Sequence, residues 1–427
     1  MEATFPPPIL LDDFPETTWE GLRLGLQDLS VSIAGLTSAL PSGSAILLSG
    51  DWGIGKTSLL KAIEGRLQEV KAPVVWFDAW RYESSGALLP ALLRAVWKQS
   101  QKPDEIKEAI FLPLWRSALA VGLKFAPEAA SLAGFGFLKP LLKILDPAAL
   151  KGALEAVPTL ESLVPPEDET EKVQGRFKEL LEKGWPGRNE EQRVIVLIDD
   201  LDRCSPTGMV ALLEGIRLLL VGSGEAPCSF VVALDKEVLA QAIARHYAGI
   251  SAFDSHRYLE KLFPVHFAVP APSSVDVETL VSRYLGSEVD ADQRDALATV
   301  LREPFFANPR LMKRCVNRFR LVNALEKHGA AAKDPTSSTC SIKALAQWIA
   351  ATERWAVLRP LLLRRDDAYW QSVGASMRDK IDPPDLEAES LLREPSIRPW
   401  LQREMVGRTA RLGELRVADD RLRRWGL

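Results

Sequence analysis

Between Ala45 and Val70 the chain reads AILLSGDWGIGKTSLLKAIEGRLQEV, an order of residues that few folds can house. The apolar run Ala45 to Leu48 has the character of a fully buried strand. Gly50, Gly55, Lys56 and Thr57 follow at the G-x-x-x-x-G-K-[ST] spacing. Leu59, Leu60, Ile63, Leu67 and Val70 then recur at helical intervals. Strand, glycine loop and helix in that order make a phosphate cradle. Glycines let backbone N–H groups turn inward, and the helix N-terminus adds a field that favours negative charge. On this reading Gly50, Asp51, Trp52, Gly53, Ile54, Gly55, Lys56, Thr57 and Ser58 hold a nucleotide. Lys56 reaches its β/γ-phosphates and the Thr57 hydroxyl ligates Mg²⁺.

A second apolar run, Val194 to Ile198, is β-branched throughout much of its length and reads as a buried parallel strand. It runs straight into Asp199, Asp200, Leu201, Asp202 and Arg203. A Mg²⁺ ion on β/γ-phosphates needs a carboxylate at the C-terminal edge of the sheet, and Asp199 fits that need. Asp200 is placed to orient and polarise an attacking water. The plainer alternative is that both acids cap the helix that follows. Further strands are expected at Val74 to Phe77, Phe230 to Leu234 and Val265 to Val269, with helices between them. The pattern predicts an α/β fold: a parallel five-stranded sheet, helices on both faces, and an inserted helical segment.

At 427 residues the chain is long enough for two or three domains. A net charge of −4 gives no general attraction to nucleic acid or anionic membrane. Cys204, Cys228, Cys315 and Cys340 are scattered, with no CxxC pair and no Cys/His cluster, so neither a zinc site nor a disulfide framework is indicated. A reducing, cytoplasmic setting is the simplest reading. The start, MEATFPPPILLDDFPE, carries acids and prolines where a signal peptide carries basic and apolar residues. Leu22, Leu26, Leu29, Ile33, Leu36 and Leu40 then mark a helix from Trp19 to Leu40, ended by Pro41-Ser42-Gly43. The expected divisions are a lead-in and helix over 1–43 and a core over 44–270 with its helical insertion at about 101–183. A helical block over 271–327 and a C-terminal helical domain over 341–427 follow, joined by a polar linker.

Three stretches stay open. Phe111 to Leu154 is unusually apolar, but charged residues interrupt it before the length a spanning helix needs. Helical core, a hairpin contacting a membrane surface or a partner, and a true span are its readings. Val164 to Glu171 reads as a solvated acidic loop before a helix to about Lys183. The C-terminal block is rich in Arg, from Arg393 to Arg424, yet Glu394, Glu404, Glu414, Asp419 and Asp420 are interleaved. That favours a solvated helical face with local ion pairs over a nucleic-acid patch.

Taken together, the loop GDWGIGKTS, the block FDAWRYE (Phe77 to Glu83), IDDLDRC (Ile198 to Cys204), ALDKEVLAQAI, YLEKLFPVHFAVP and NPRLMKRCVN resemble the KAP P-loop NTPases. The intervening strand Val74 to Phe77 is similar to the additional-strand class of these proteins. The resemblance implies a Mg²⁺-dependent ATPase, slow and switch-like, with a helical lid around Asn308 to Arg318 and a C-terminal helical tail. It implies that Asp235 senses the γ-phosphate and that Arg310 is a lid arginine acting with Lys56 and Asp200. Arg203 would pair with Asp199 or Asp202, or act across a subunit boundary. Trp80 and Tyr82 read as packing groups rather than base-stacking ones. Bacterial relatives sit in anti-phage defence modules, so such a role and a nucleotide-dependent protein partner or self-assembly are expected. A different class of function is a nucleotide-sensing scaffold that hydrolyses negligibly; an Asp rather than a Glu at 200 favours it.

Overall fold

The structure, a computed structural model, describes residues 10–12, 15, 26–39, 43–85, 88–115, 117–118, 167–188, 192–221, 227–248, 254–286, 289–328, 340–379, 381–394, 396–405, 409–424 and 426–427. Backbone contacts divide the chain into two units, Pro15–Pro270 and a second made of Met1–Phe14 with Ala271–Leu427.

The first unit is built on five strands: β1 (Ser44–Ser49), β2 (Val74–Asp78), β3 (Val194–Asp199), β4 (Cys228–Leu234) and β5 (Val265–Ala268). All their pairings are parallel, and the order across the sheet is β2-β3-β4-β1-β5. β4 therefore stands between the glycine-loop strand and the acidic strand. This is the spatial form of the additional-strand class.

β1, β3 and β4 are buried at every position, which explains their near-continuous apolar sequence. Alternate residues serve opposite faces. Ala45, Leu47, Val196, Ile198, Phe230 and Val232 pack in one core with α3 (Leu88–Gln99), α4 (Glu167–Gly184), α5 (Pro206–Val221), α6 (Lys236–His246) and α7 (Ser255–Leu262). Ile46, Leu48, Ile195, Leu197 and Val231 pack in a second core with α1 (Leu26–Ala39) and α2 (Lys56–Glu69). Each fully buried aliphatic side chain contributes roughly 1.5–3 kcal/mol. Helices thus cover both faces.

α3 and α5 approach closely at Gly215, where an added Cβ would lie 2.9 Å from Leu89. A short helix, Pro103–Ile106, runs into a π-helical turn, Lys107–Phe111, and the Phe111 ring stacks on Trp97 at 4.2 Å. Phe111, Leu114, Trp115 and Ala118 are buried core residues, so the described start of the apolar segment is helical core. The rest of 111–154 lies outside the described residues. No helix among the described residues is long and apolar enough to cross a membrane.

One expectation is corrected here. The stretch read as an acidic loop opens α4 at Glu167. Acidic residues at a helix start are favoured by the macrodipole, so a polar run there need not be a loop.

The second unit is helical throughout its described residues. Its elements are α8 (Ser274–Leu285), α9 (Ala291–Leu301), α10 (Pro309–His328), α11 (Ile342–Arg354), α12 (Leu358–Arg364), α13 (Asp367–Asp379), α14 (Leu386–Leu392), α15 (Ile397–Glu404) and α16 (Thr409–Arg423). Residues 329–339 of the expected linker lie outside the description. α11 packs against α9, α10 and α16 and is buried on nearly every side, including Trp348.

The arginine-rich block is not simply a solvated face. Arg393 does pair locally with Glu389. Arg403, however, reaches Glu303 at 2.5 Å, Arg416 reaches Asp367 at 2.9 Å, and Arg421 reaches Glu326 at 2.5 Å. These pairs join elements far apart in sequence. At the centre, Asp419 is fully buried and accepts from Trp348 Nε1 at 2.9 Å and from Arg359 Nε at 2.8 Å.

Candidate functional site

Strand register gathers the site. Asp78 lies opposite Asp199, and Ser49 lies opposite Leu234, so Gly50, Asp78, Asp199 and Asp235 all emerge at the C-terminal edge of one sheet. Ligands of open α/β sheets bind at that edge.

The loop after β1 has the backbone its glycines predict. Gly53 and Gly55 take φ +86° and +112°, values that a side chain would strain. A Cβ on Gly50 would come within 2.8 Å of Ile54 Cγ2, so the loop closes tightly over this position. α2 starts at Lys56 without a side-chain cap. The N-cap residue, Gly55, thus has no side chain to compete with an anion at the helix start. Trp52, at the loop's outer edge, is 60% exposed.

Lys56 is folded into this loop. Its Nζ donates to the carbonyls of Gly50 at 2.8 Å and Asp51 at 3.3 Å, and it lies 3.4 Å from Asp202 Oδ2. Both side chains of that ion pair are only 8% exposed.

Thr57, next along, hydrogen-bonds the Asp199 carboxylate. Burial first, and the neighbouring charge of Asp200 second, push Asp199 up to about 7. Such a carboxyl gains most from a divalent cation placed beside it. Among the described residues no group of three or more His, Cys, Asp or Glu side chains could hold a metal ion alone. The hydroxyl of Thr57 and the carboxyl of Asp199 are oxygen donors of the kind that would suit a Mg²⁺ ion.

Asp200 has left-handed backbone, φ +54° and ψ +28°, uncommon for any residue but glycine. Its carboxylate meets Arg203 Nε at 2.9 Å. This corrects the expected partner of Arg203, which pairs with neither Asp199 nor Asp202. The 3₁₀ turn Leu201–Arg203 is the reason, since three residues per turn set positions 200 and 203 over one another. Arg203 also lies 5.1 Å from the centre of the Trp80 ring. Burial raises the pKa of Asp200, and Arg203 opposes the rise.

Asp235 caps α6, accepting from the amides of Glu237 at 3.0 Å and Val238 at 3.3 Å. Its own amide donates to Asp202 Oδ2 at 2.8 Å. Arg310 belongs to the other unit, on the first turn of α10, where Asn308 Oδ1 accepts its backbone N–H at 3.1 Å.

The chain matches the KAP family P-loop domain over residues 31–325. It belongs to that family. A curated relative, the phage T7 exclusion protein of Escherichia coli (strain K12), is 25% identical over 285 residues. That match takes in 62% of this chain and 35% of the relative, so the chain spans about a third of the relative's length. Among solved structures, the Aeropyrum pernix ORC2 protein in its ADPNP-ADP complexes aligns with TM-score 0.39 and 14% identity, covering 100% of this chain and 89% of that one. Its ADP form aligns with TM-score 0.37 and 12% identity, covering 100% and 97%.

Within the KAP domain, the FDAWRYE block acts as a buttress for the acidic motif. Ala79 N–H donates to the Asp199 carbonyl at 3.0 Å, and Glu83 Oε1 accepts from Ser205 N–H at 2.9 Å. Tyr82 stacks on Phe77 at 5.4 Å, a packing role as expected. Trp80 is 53% exposed. Burial and the nearby Glu83 raise the Cys204 thiol far above its ordinary pKa, which makes it inert.

Asp202, expected only as a partner of Arg203, and Glu83, given no role of its own, both belong to the site. The spacing of Asp202, three residues beyond Asp199, was the available signal.

Proposed function

We propose that this chain is a Mg²⁺-dependent, slow, switch-like ATPase of KAP type. One observation supports the reading most: a buried lysine and a buried carboxyl of raised pKa share one sheet edge. Thr57, which follows Lys56, bridges to that carboxyl. The loop Gly50 to Ser58 would bind the phosphates, with Lys56 redirected from the Gly50 and Asp51 carbonyls to phosphate oxygens. Thr57 and Asp199 would hold Mg²⁺, which supplies charge neutralisation for phosphoryl transfer. Asp200 would orient the attacking water and accept its proton once Arg203 releases the carboxylate. Asp235 would report on the γ-phosphate from the end of β4, and Arg310 would serve as the lid arginine of the helical block.

A second reading has its own support. With Asp200 held by Arg203, hydrolysis can be negligible and nucleotide occupancy alone can carry the signal, as in a scaffold that assembles partners. Likeness to a phage exclusion protein favours a part in defence against phage, through nucleotide-dependent self-assembly or a protein partner. Multiple-turnover phosphate release decides between the two readings. Under the ATPase reading Asp200→Asn lowers release by about 100-fold or more, and Lys56→Ala abolishes it. Equal release from all three proteins leaves the scaffold alone.

A further inference from the structure

The Asp202 side chain is only 8% exposed, and the mechanism above does not use it. Its Oδ2 atom stands at a junction, 3.4 Å from Lys56 Nζ and 2.8 Å from the Asp235 amide nitrogen. Lys56 starts α2 beside the loop, Asp235 ends β4 and caps α6, and Asp202 joins the two. We infer that Asp202 is an internal anion that competes with phosphate for Lys56, so that a triphosphate in the loop must displace it. This inference rests on the nucleotide-binding reading of the loop.

Phosphate and Asp202 compete for a single cation. Lys56 carries three N–H donors, and its partners here are two carbonyls and one carboxylate. Phosphate oxygens entering the loop must take donors from these partners. They also bring negative charge toward a carboxylate that is only 8% exposed and weakly screened by water. Like charges at short range in such a setting repel strongly. Asp202 therefore resists triphosphate entry. It yields either by turning away from Lys56 or by carrying the Asp235 amide, and with it the start of α6, into a new position. Asp202 is thus a positioning residue that couples occupancy of the loop to the end of β4.

Asp202→Asn separates charge from shape. The amide oxygen of asparagine still accepts the Asp235 N–H, so the β4 end keeps its bond, but the competing charge is gone. Titration calorimetry with a nonhydrolysable ATP analogue and Mg²⁺ should show Kd about five- to tenfold lower for Asp202→Asn than for the parent. Asp202→Ala, which removes the acceptor as well, should lose thermal stability that Asp202→Asn keeps. Amide hydrogen exchange at Asp235 should change on analogue binding in the parent and change less in Asp202→Asn. A merely structural role would not produce that difference. Should Asp202→Asn bind with unchanged or weaker affinity while the parent binds, Asp202 is no competitor and the inference falls, leaving the nucleotide reading intact. Binding by the variant alone would support it in its strongest form, a latch shut in the parent. If neither protein binds, the nucleotide reading itself fails and takes this inference with it.

Discussion

Two buried aspartates in this chain live in opposite circumstances. Asp419, in the helical unit, is fully enclosed and has a guanidinium and an indole N–H within 2.9 Å. Asp199, at the edge of the sheet, is 4% exposed, has Asp200 and Asp202 as charged neighbours, and has risen to about 7. The first is paired with positive charge through Oδ1, although its Oδ2 is buried without a hydrogen-bond partner among the described residues. The second is short of positive charge, and a cation of the right size would supply it. Burial alone does not tell a site from a core; the balance of charge around the buried group does.

That contrast can be broken by experiment, starting where the effect is largest. Asp419→Ala strips the acceptor from the buried Trp348 indole and the counter-ion from Arg359, whose side chain is 26% exposed and reached by water. The expected loss is about 2–3 kcal/mol in urea unfolding. A loss under about 1 kcal/mol would mean the joint is not what holds α11, α12 and α16 together.

Asp199→Asn should move stability the other way. A carboxyl whose folded pKa is raised adds stability that is fully present below its unfolded pKa near 4 and is lost as pH rises through about 7. At pH 8, without nucleotide, the asparagine variant should be more stable than the parent by on the order of 2 kcal/mol, and its stability should vary less between pH 4 and 7. Parallel pH curves for the two proteins would remove the case for an electrostatically strained site. Smallest of all is Arg393→Ala, which deletes an exposed i,i+4 pair with Glu389. A change within about 0.5 kcal/mol is expected, and a larger one would show that the exposed arginines also brace the helices.

Much of the first unit was legible because its signals are local. The strand-loop-helix around Lys56 and the apolar run into Asp199 announce themselves by composition and period. What the sequence could not show was which strand lies beside which. β4 comes late in the chain yet sits between β1 and β3, and only that arrangement sets the end of β4 against Asp202. Asp202 reads only as a partner for Arg203, because linear order does not show that the backbone after Asp199 turns with a three-residue repeat and hands Arg203 to Asp200. The arginines of the helical unit are legible only in part, for a related reason: the expected local pairs are there, as between Arg411 and Glu414, but distant ones are added. Helical spacing shows which residues share a face, but not which distant helix brings the carboxylate, as Glu326 does for Arg421.

The left-handed turn at Asp200 makes it possible to interrogate chemistry and geometry separately. Asparagine tolerates that conformation better than most residues, so replacing aspartate by asparagine exchanges a proton acceptor for a near-isostere and leaves the chain's path alone. Glycine relaxes the path as well as deleting the group, and valine opposes the path outright. Comparing the three at one position would sort a defect of reactivity from a defect of shape.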